Sequence, residues 1–293
     1  MSLATNVLIL GPHSGSSVSG PVLTGGQSVV VFDSADDALP QVFYLGASGT
    51  LGPLAIAEWG NRVIDYAPGA LALTGSTRGT LPGAFGTVSH PVPSTTGSFR
   101  GTMAWTAFTS TTAVNNPAGM PFPSSGSLTP SIWRGNRPGF GGWFISARFS
   151  TTTGATSGSR GFCGFGNAIM AVNPQTLSSS MGMQFNDGDD PAGNWFFGTN
   201  NGQPLAQRWD LGTGARRSDD NVYDFYSWAP PNADWMSVAV VNTTSGTVLF
   251  NSVLTGSLPD RHAFHYFEIV KNAANSGVVQ TMFIQRVYIV SMT

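Results

Sequence analysis

The sequence predicts an all-β protein whose larger part is an antiparallel β-sandwich or jelly roll. Charged residues make up only 10% of the 293 residues, against about 25% in an average soluble domain. The chain contains 37 Gly and 19 Pro, which favour many short strands joined by turns. No window of ten or more residues shows the 3.6-residue periodicity of an amphipathic helix. These three observations exclude a helical bundle and favour strands throughout.

The first zone, residues 1–78, contains short apolar runs that are broken by glycine and read as strands. We expect it to form a smaller β-rich module. It is distinct from the region that follows because its runs are rich in β-branched and aromatic residues. The strands are predicted at 7–10, 28–32, 41–45 and 51–57.

The second zone, residues 79–130, is rich in Pro, Gly, Ser and Thr. Proline cannot donate a backbone hydrogen bond to a ladder, so such a stretch is unsuited to the centre of a sheet. We predict an extended linker or wrapping arm here, in which 103–108 alone has the pattern of a strand.

The third zone, residues 131–293, has the regular pattern of a β-sandwich. Turn-forming sequences separate its apolar runs at spacings near ten to fifteen residues, and no helical segment intervenes. Asn201-Gly202 and Ser245-Gly246 predict hairpin connections, because glycine accepts a positive φ. Ten strands are predicted, at 143–149, 161–165, 181–186, 195–198, 205–211, 222–228, 235–242, 247–251, 263–270 and 279–291.

Charge and cysteine content limit the possible partners. The net charge of −2 offers no electrostatic footprint for nucleic acid or for acidic membranes. The N-terminal stretch lacks the basic region and long apolar run of a secretion signal, so we expect synthesis in a cytoplasm and no membrane insertion. The single cysteine, Cys163, excludes an intrachain disulfide framework and is expected to be a small buried residue.

No constellation of residues indicates catalysis or metal binding. The two glutamates, Glu58 and Glu268, are far apart in sequence, so a glycosidase pair is not indicated. The acidic segment 186–190 resembles part of a calcium loop, but it lacks the closing Glu and is more typical of an acidic hairpin turn. The four histidines lack the spacing of a zinc site. We therefore expect no catalytic residues, no metal and no cofactor, and a protein that is not an enzyme.

Aromatic residues between 195 and 235 are interleaved with amides and carboxylates. Flat rings cover the apolar faces of sugars, and amides and carboxylates bind hydroxyl groups. The alternative is that most of these rings pack in the core between two sheets. We expect Trp195 and Trp228 near a rim. The predicted ligand-binding residues are Trp195, Trp209, Tyr226, Trp228, Asn201 and Asp187.

The segment from Ser131 to Ser150 concentrates glycine, arginine and tryptophan just before an alternating strand. Its glycines allow a sharp bend and a close backbone approach. On 143–149, Trp143 and every second residue after it share one face, while Phe144, Ser146 and Arg148 share the other. We expect an anchor between arm and sandwich; a receptor contact is the alternative. The predicted residues of this anchor or interface are Trp133, Arg134, Asn136, Arg137, Gly141, Gly142 and Trp143.

Several segments, taken in order over roughly residues 131–260, resemble a domain of tailed-bacteriophage virion proteins described as tail fibre, tail or receptor-binding proteins. The resemblance implies a concanavalin-like sandwich carried on a virion as an oligomer, often a trimer. The segments that carry it are WRGNRPGFGGWFISARF, GFCGFGNA, NPQTL, MGMQFNDGDDPAGNWFFGTNNG, RWDLG, DNVYDFYSWAPPN and SVAVVNTTSGTV.

This resemblance leads to a functional expectation for each zone. Residues 1–78 attach to the virion, 79–130 wrap between protomers of a homotrimer, and 131–293 display the sandwich. The expected partners are copies of this chain, other virion proteins and a glycan of the host surface. Two alternatives stay open: a head-decoration or minor capsid protein that binds no receptor, and a glycan-cleaving tail enzyme.

Overall fold

The structure is a computed structural model that divides the chain into two compact units, Met1–Gly60 and Asn61–Thr293. For five strands near the N-terminus it describes the backbone. Beyond them it describes residues 85–122, 132–136, 141–152, 158–166, 173–187, 190, 193–218, 220–261, 263–272 and 279–291.

The first unit contains a four-stranded sheet in the order β1-β2-β3-β4. β1 pairs with β2 in parallel, and the other two pairs are antiparallel. All four strands overlap apolar runs that predicted them, so the prediction of β-strands in this part of the chain is confirmed. The strands are β1 Leu8–His13, β2 Ser28–Asp33, β3 Gln41–Leu45 and β4 Leu51–Pro53.

The second unit contains fifteen described strands and three short 3-10 turns. Among the described residues, no helical segment is long and apolar enough to cross a membrane. The turns are Arg100–Thr102, Pro174–Thr176 and Thr213–Ala215. The strands are β5 Arg62–Tyr66, β6 Thr87–Ser89, β7 Thr106–Thr109, β8 Pro117–Phe122, β9 Ile132–Trp133, β10 Trp143–Thr151, β11 Ser159–Gly166, β12 Ser180–Asn186, β13 Phe196–Asn200, β14 Gln207–Asp210, β15 Tyr223–Ala229, β16 Met236–Asn242, β17 Thr247–Leu254, β18 Ala263–Asn272 and β19 Thr281–Ser291.

These strands form two antiparallel sheets. The large sheet has the order β17-β16-β15-β10-β19-β7-β6, and β5 also pairs with β19. The small sheet has the order β14-β13-β12-β11-β18-β8, and β9 also pairs with β18. The all-β sandwich predicted from composition and alternation is therefore confirmed, and each of the ten strands predicted beyond residue 130 overlaps an observed strand.

Aromatic contacts join the inner faces of the two sheets. Trp143 of β10 meets Phe165 of β11 edge to face, with ring centroids 4.7 Å apart. Phe149 of β10 meets Trp195, which precedes β13, with centroids 5.2 Å apart. These side chains are fully buried in one continuous apolar core. Burial of such large apolar surfaces is the dominant force that holds two stacked sheets together.

The domain boundaries differ from those predicted. The first unit ends at Gly60, not at residue 78, and β5 belongs to the large sheet. The predicted linker or wrapping arm at 79–130 supplies three strands to the sandwich. Its β8 contains Pro117 and Pro121 and lies at an edge of the small sheet, where a missing backbone donor is tolerated. The proline argument correctly excluded a central strand but not an edge strand.

Candidate functional site: the outer face of the large sheet

The two sheets differ in what covers the face turned away from the core. On the small sheet, Phe162 and Phe267 stack with centroids 4.8 Å apart, and Leu177 packs against them. This patch is apolar and is closed by its own chain, although the register places Arg160, Gln184 and Lys271 on the same face. On the large sheet, charged and hydroxyl side chains lie together at the centre of the outer face, so we describe that face as the candidate site.

Strand register arranges these side chains in three rows across β15, β10 and β19. Because neighbouring residues of a strand point to opposite faces, every second residue of β10 lies on the outer face. The aromatic row contains Trp228 and Phe144, the hydroxyl row Tyr226, Ser146 and Tyr288, and the charged row Asp224, Arg148 and Arg286. We call these eight residues the outer face.

In the charged row, Arg148 binds Asp224 through two parallel hydrogen bonds. Nε donates to Oδ1 at 2.7 Å and Nη2 donates to Oδ2 at 2.8 Å. The hydroxyl of Tyr226 also donates to Oδ2 of Asp224, at 3.1 Å. This bidentate geometry fixes both side chains and neutralises the charge of Arg148.

Arg286 stands beside that pair without an ion pair of its own among the described residues. It lies opposite Arg148 at a register shift between β10 and β19, where a β-bulge adds one residue to β19. Bulges of this kind re-aim side chains and are frequent next to functional sites. Nε of Arg286 is buried and has no hydrogen-bond partner in the described part of the chain.

Burial and the charged side chains of the outer face shift the pKa of Tyr226. Burial raises the pKa well above the usual value, and the carboxylate of Asp224 raises it further, while Arg286 and Arg148 partly oppose the shift. The hydroxyl therefore keeps its proton near neutral pH and acts as a hydrogen-bond donor.

In the hydroxyl row, Ser146 lies between Tyr226 and Tyr288 and is fully buried. Its Oγ has no hydrogen-bond partner among the residues that the structure describes. A buried hydroxyl without a partner destabilises a protein by about 1–3 kcal/mol.

The aromatic row is buried. Phe144 packs edge to face on Tyr288 with centroids 6.3 Å apart, and Trp228 packs likewise on Trp235 at 5.1 Å. Trp228 is 3% exposed, so its predicted place at a rim is wrong. The Arg148 side chain is 22% exposed, which makes the charged row the accessible edge of the outer face.

Two other predicted ligand residues belong to the core. Trp195 is fully buried, and its ring contacts Phe149 and Phe185 edge to face, at 5.2 and 4.7 Å. Trp209 stacks on Phe197 at 5.5 Å between centroids. The core alternative therefore applies to both residues, and the expectation that Trp195 lies near a rim is wrong.

The acidic turn is neutralised by arginines. Asp187 forms an ion pair with Arg217, whose guanidinium lies 3.7 Å from the centroid of the Phe185 ring, and both charged side chains are buried. Burial raises the pKa of Asp187, although Arg217 opposes the shift. Asp190 binds Arg208 at 2.6 Å. No cluster of three His, Cys, Asp or Glu that could hold a metal occurs among the described residues.

Asn201 is exposed in the loop between β13 and β14. The loop is held by its buried neighbour Asn200, whose Nδ2 donates to the carbonyl of Gln203 at 2.9 Å and whose Oδ1 accepts from the amide of Gly202. This loop joins two strands of the small sheet, so Asn201 does not belong to the outer face of the large sheet.

The predicted anchor segment joins β9 to β10 through a tight corner. The Gly142 amide donates to the carbonyl of Trp133 at 2.9 Å. Gly142 has φ of 88°, and a Cβ there would lie 2.7 Å from the carbonyl oxygen of Ala229, so only glycine fits. On β10, Nε1 of Trp143 donates to Oγ of Ser227 at 3.0 Å.

The rest of this segment contacts the Ala-Pro-Pro-Asn corner that follows β15. The carbonyl of Arg134 accepts from the amide of Asn232 at 2.9 Å, and Nη1 of Arg134 lies 3.5 Å from the carbonyl of Ala233. Burial and the neighbouring Arg261 lower the pKa of Arg134. Gly141 has φ of 76° and packs on Gly135, and Asn136 is exposed. Arg137 lies outside the described residues.

Sequence reasoning found part of the outer face. Alternation on 143–149 placed Phe144, Ser146 and Arg148 on one face, and Tyr226 and Trp228 were among the predicted ligand residues. It missed Asp224, Arg286 and Tyr288 as members. Asp224 is two residues before Tyr226, so the period of two could have found it. The sequence of β19 did not indicate Arg286 and Tyr288 as members, because no pattern within it predicts that β19 pairs with β10.

One further polar group is buried inside the core. Oε1 of Glu268 accepts from the hydroxyl of Tyr266 at 2.8 Å, and Sγ of Cys163 lies 3.4 Å from that hydroxyl. All three residues are fully buried. Burial raises the pKa of Glu268 to about 8, although its hydrogen bonds with Tyr266 and Cys163 oppose the shift. Cys163 is the buried residue that its sequence context predicted.

Comparison with known proteins finds likeness in solved structures only. No family model matches the chain, and no curated protein is similar to it in sequence. Peanut lectin is 12% identical, with a TM-score of 0.44 over 78% of this chain and 97% of the lectin. The endo-β-1,4-glucuronan lyase of the fungus Trichoderma reesei is 10% identical, with a TM-score of 0.40 over 79% of this chain and 95% of the lyase.

A third similar structure is a carbohydrate esterase from the Shiga toxin-encoding bacteriophage phi24B. It is 11% identical, with a TM-score of 0.41 over 72% of this chain and 89% of the esterase. The similar proteins thus include carbohydrate-binding and polysaccharide-acting β-sandwich proteins, one of them from a phage. At TM-scores below 0.5, none of their activities is transferred to this chain.

These comparisons correct one expectation. The sequence favoured a protein that is not an enzyme, because no catalytic constellation stood out. The similar structures include a lyase and an esterase as well as a lectin, so the expectation that the protein is not an enzyme is wrong. Lack of a familiar sequence motif does not decide whether a site on a sheet face is catalytic.

Proposed function

We propose that this chain is a glycan-binding structural protein of a tailed-bacteriophage virion, of the tail fibre or receptor-binding type. The outer face of the large sheet contacts a glycan of the host surface. The observation that carries the binding proposal is the juxtaposition of Arg148, Asp224, Tyr226 and Arg286 with the unpartnered hydroxyl of Ser146. The order of segments over 131–260 supports the virion assignment.

The chemistry of the outer face suits a sugar. Tyr226 and Tyr288 offer rings beside hydroxyl groups, a combination that covers an apolar sugar face while binding its hydroxyls. The bidentate pair of Arg148 and Asp224 holds the charged row in one geometry before any ligand arrives. Preorganisation of this kind reduces the entropy lost on binding.

The proposed assembly is a homotrimer in which residues of the first unit attach to other virion proteins. The composition supports extensive subunit contacts, because twelve of the thirteen basic residues are Arg and arginine tolerates interfaces better than lysine does. Light scattering of the purified chain tests the trimer, and immunogold labelling of virions tests its place on the tail.

Two tyrosines on β15 offer a matched test of the binding proposal. Tyr226→Phe removes a hydroxyl from the outer face, and Tyr223→Phe removes one from the interior, where it donates to the carbonyl of Arg216 at 2.6 Å. We expect Tyr226→Phe to weaken glycan binding about fivefold, the equivalent of one hydrogen bond. Tyr223→Phe leaves the affinity unchanged and lowers stability by about 1 kcal/mol.

The measurement is binding of the labelled protein to a glycan array and to host cells, followed by titration of the best ligand. Equal affinity loss in both variants would contradict the outer face as the site. Labelled protein that ignores every glycan and host but coats purified heads would identify a head-decoration protein. The same glycans are examined for new chain ends, since their release would reveal catalysis at the site.

A further inference from the structure

We infer that the outer face recognises an acidic saccharide, whose anionic substituent lies against Arg286 and Ser146. The inference deepens the proposed function and rests on it. It names the substrate class, a sugar that carries a carboxylate or a sulfate, and the two side chains that distinguish this sugar from a neutral one.

The first step is the charge of the site. Asp224 is engaged by Arg148 through two hydrogen bonds, so these two charges cancel. Arg286 adds a guanidinium on the adjacent strand, with no ion pair to any residue that the structure describes. These three side chains together therefore carry one net positive charge on the outer face.

The second step is an unpartnered donor within reach of that charge. Ser146 pairs with Tyr288 across β10 and β19, and Arg148 pairs with Arg286, so Ser146 and Arg286 are diagonal neighbours on one face. Such neighbours lie about 7 Å apart at the backbone, within reach of a long side chain. Neither the buried Oγ of Ser146 nor the buried Nε of Arg286 has a hydrogen-bond partner among the described residues. A carboxylate or sulfate between them accepts from both.

The third step is selection against other anions. A free phosphate or a nucleic-acid backbone needs charge alone, whereas this charge stands next to the rings of Tyr226 and Tyr288. The ring of a sugar packs on such an aromatic surface while its acidic substituent reaches the guanidinium. Tyr226 lies near enough to Arg286 for the charge of Arg286 to oppose the rise that burial causes in the pKa of the tyrosine hydroxyl. An acidic sugar therefore satisfies both halves of the site at once.

The experiment measures affinity by calorimetry for matched ligands: oligogalacturonate against its methyl ester, and dextran sulfate against dextran. Each pair has the same sugar with and without its charge. We expect roughly 10- to 100-fold tighter binding of the acidic member, the range for hydrogen bonds to charged groups. This preference should shrink as salt rises from about 50 to 500 mM, because the ions are partly exposed.

Two substitutions, with Arg216→Gln as a control, test whether the anion binds beside Arg286 and Ser146. Arg286→Gln should remove the preference for the acidic ligand, while Arg216→Gln, which removes the same charge from an exposed position, should change affinity less than about twofold. Ser146→Ala should weaken acidic binding several-fold without lowering the melting temperature, because it deletes a buried hydroxyl that has no partner. If Ser146 had only a structural role, its removal would change the melting temperature together with the affinity.

The outcomes distinguish the inference from the proposed function. Equal binding of acidic and neutral members overturns the acidic preference and leaves glycan binding in place. An acidic preference that survives Arg286→Gln overturns the placement of the anion. Comparison of the carboxylate pair with the sulfate pair identifies which anion is bound. Binding of no saccharide, by a folded protein, overturns both the inference and the proposed function.

Discussion

The interior and the outer face of the large sheet are built from the same strands, yet they treat polar groups differently. On β10 and β15, the inward residues Trp143, Phe149 and Phe225 are fully buried and packed against other apolar side chains. One residue further along each strand, the outward positions carry Ser146, Arg148, Asp224 and Tyr226. The period of two thus separates a packed core from a polar surface within single strands.

The hydrogen bonding of buried polar groups also differs between the interior and the outer face. In the interior, the Trp143 indole and the Tyr223 hydroxyl each have a hydrogen-bond partner from the chain itself. On the outer face, Ser146 Oγ and Arg286 Nε do not. Buried polar groups are normally satisfied. Nε1 of Trp195 in the interior also has no partner among the described residues, so what distinguishes the outer face is that two such groups lie near each other beside a charged row.

Removal of an interior ring should have the largest effect and tests the packed half of the comparison. Trp195→Ala deletes a fully buried side chain that contacts Phe149 and Phe185. We expect the free energy of unfolding to fall by about 3–5 kcal/mol, the usual effect of a large cavity. Urea denaturation followed by circular dichroism measures it. A loss below about 1 kcal/mol would place the ring outside the core.

Two arginines sharpen the comparison next. Arg217→Gln breaks the buried pair with Asp187 and should lower the free energy of unfolding by about 3–5 kcal/mol, because a buried carboxylate is left uncompensated. Arg286→Gln should change it by no more than about 0.5 kcal/mol. Denaturation of both variants in the same buffer gives the difference. Similar losses would mean that Arg286 holds the fold together and is not kept for a ligand.

The last prediction concerns pH and the carboxyl group of Glu268. Burial raises its pKa to about 8 from 4.5, so the folded protein keeps a proton that the unfolded chain releases between these pH values. Stability should therefore fall as pH rises from 4.5 to 8, by on the order of a few kcal/mol, and then level off. Glu268→Gln should flatten this dependence in melts taken across the range.

Its control is internal, since the amide can still accept from the Tyr266 hydroxyl but cannot ionise. Wild type and variant should therefore be similarly stable near pH 4.5, the ordinary pKa of a glutamate, and diverge above it. Parallel curves for the two proteins over the whole range would show that Glu268 keeps its charge in the fold.

Alternation was enough to predict most of the sandwich, because burial of one face imposes a period of two on every strand. It could not predict β8, where prolines sit at an edge, or β5, which pairs with a strand more than 200 residues away. For the site, the pattern showed which residues share a face but not which face meets the other sheet. Trp195 and Trp228 were consequently both expected near a rim, and both are buried.

Arg286 shows the limit most clearly. Arg286 lies beside Arg148 only because β10 and β19 are neighbouring strands. The β-bulge that orients Arg286 depends on the register of these two strands. Neither the pairing nor the bulge can be predicted from the local sequence of β19. Long-range pairing and register are set by the packing of the whole core, so a site assembled across strands appears only with the fold.

A crystal structure of the chain with a bound acidic oligosaccharide tests the central claim most directly. The account predicts the sugar on the outer face of the large sheet, with its anionic group within about 3 Å of the Arg286 guanidinium and of Ser146 Oγ. A sugar bound instead at the β13–β14 loop near Asn201, or at the corner that contains Arg134, would contradict it.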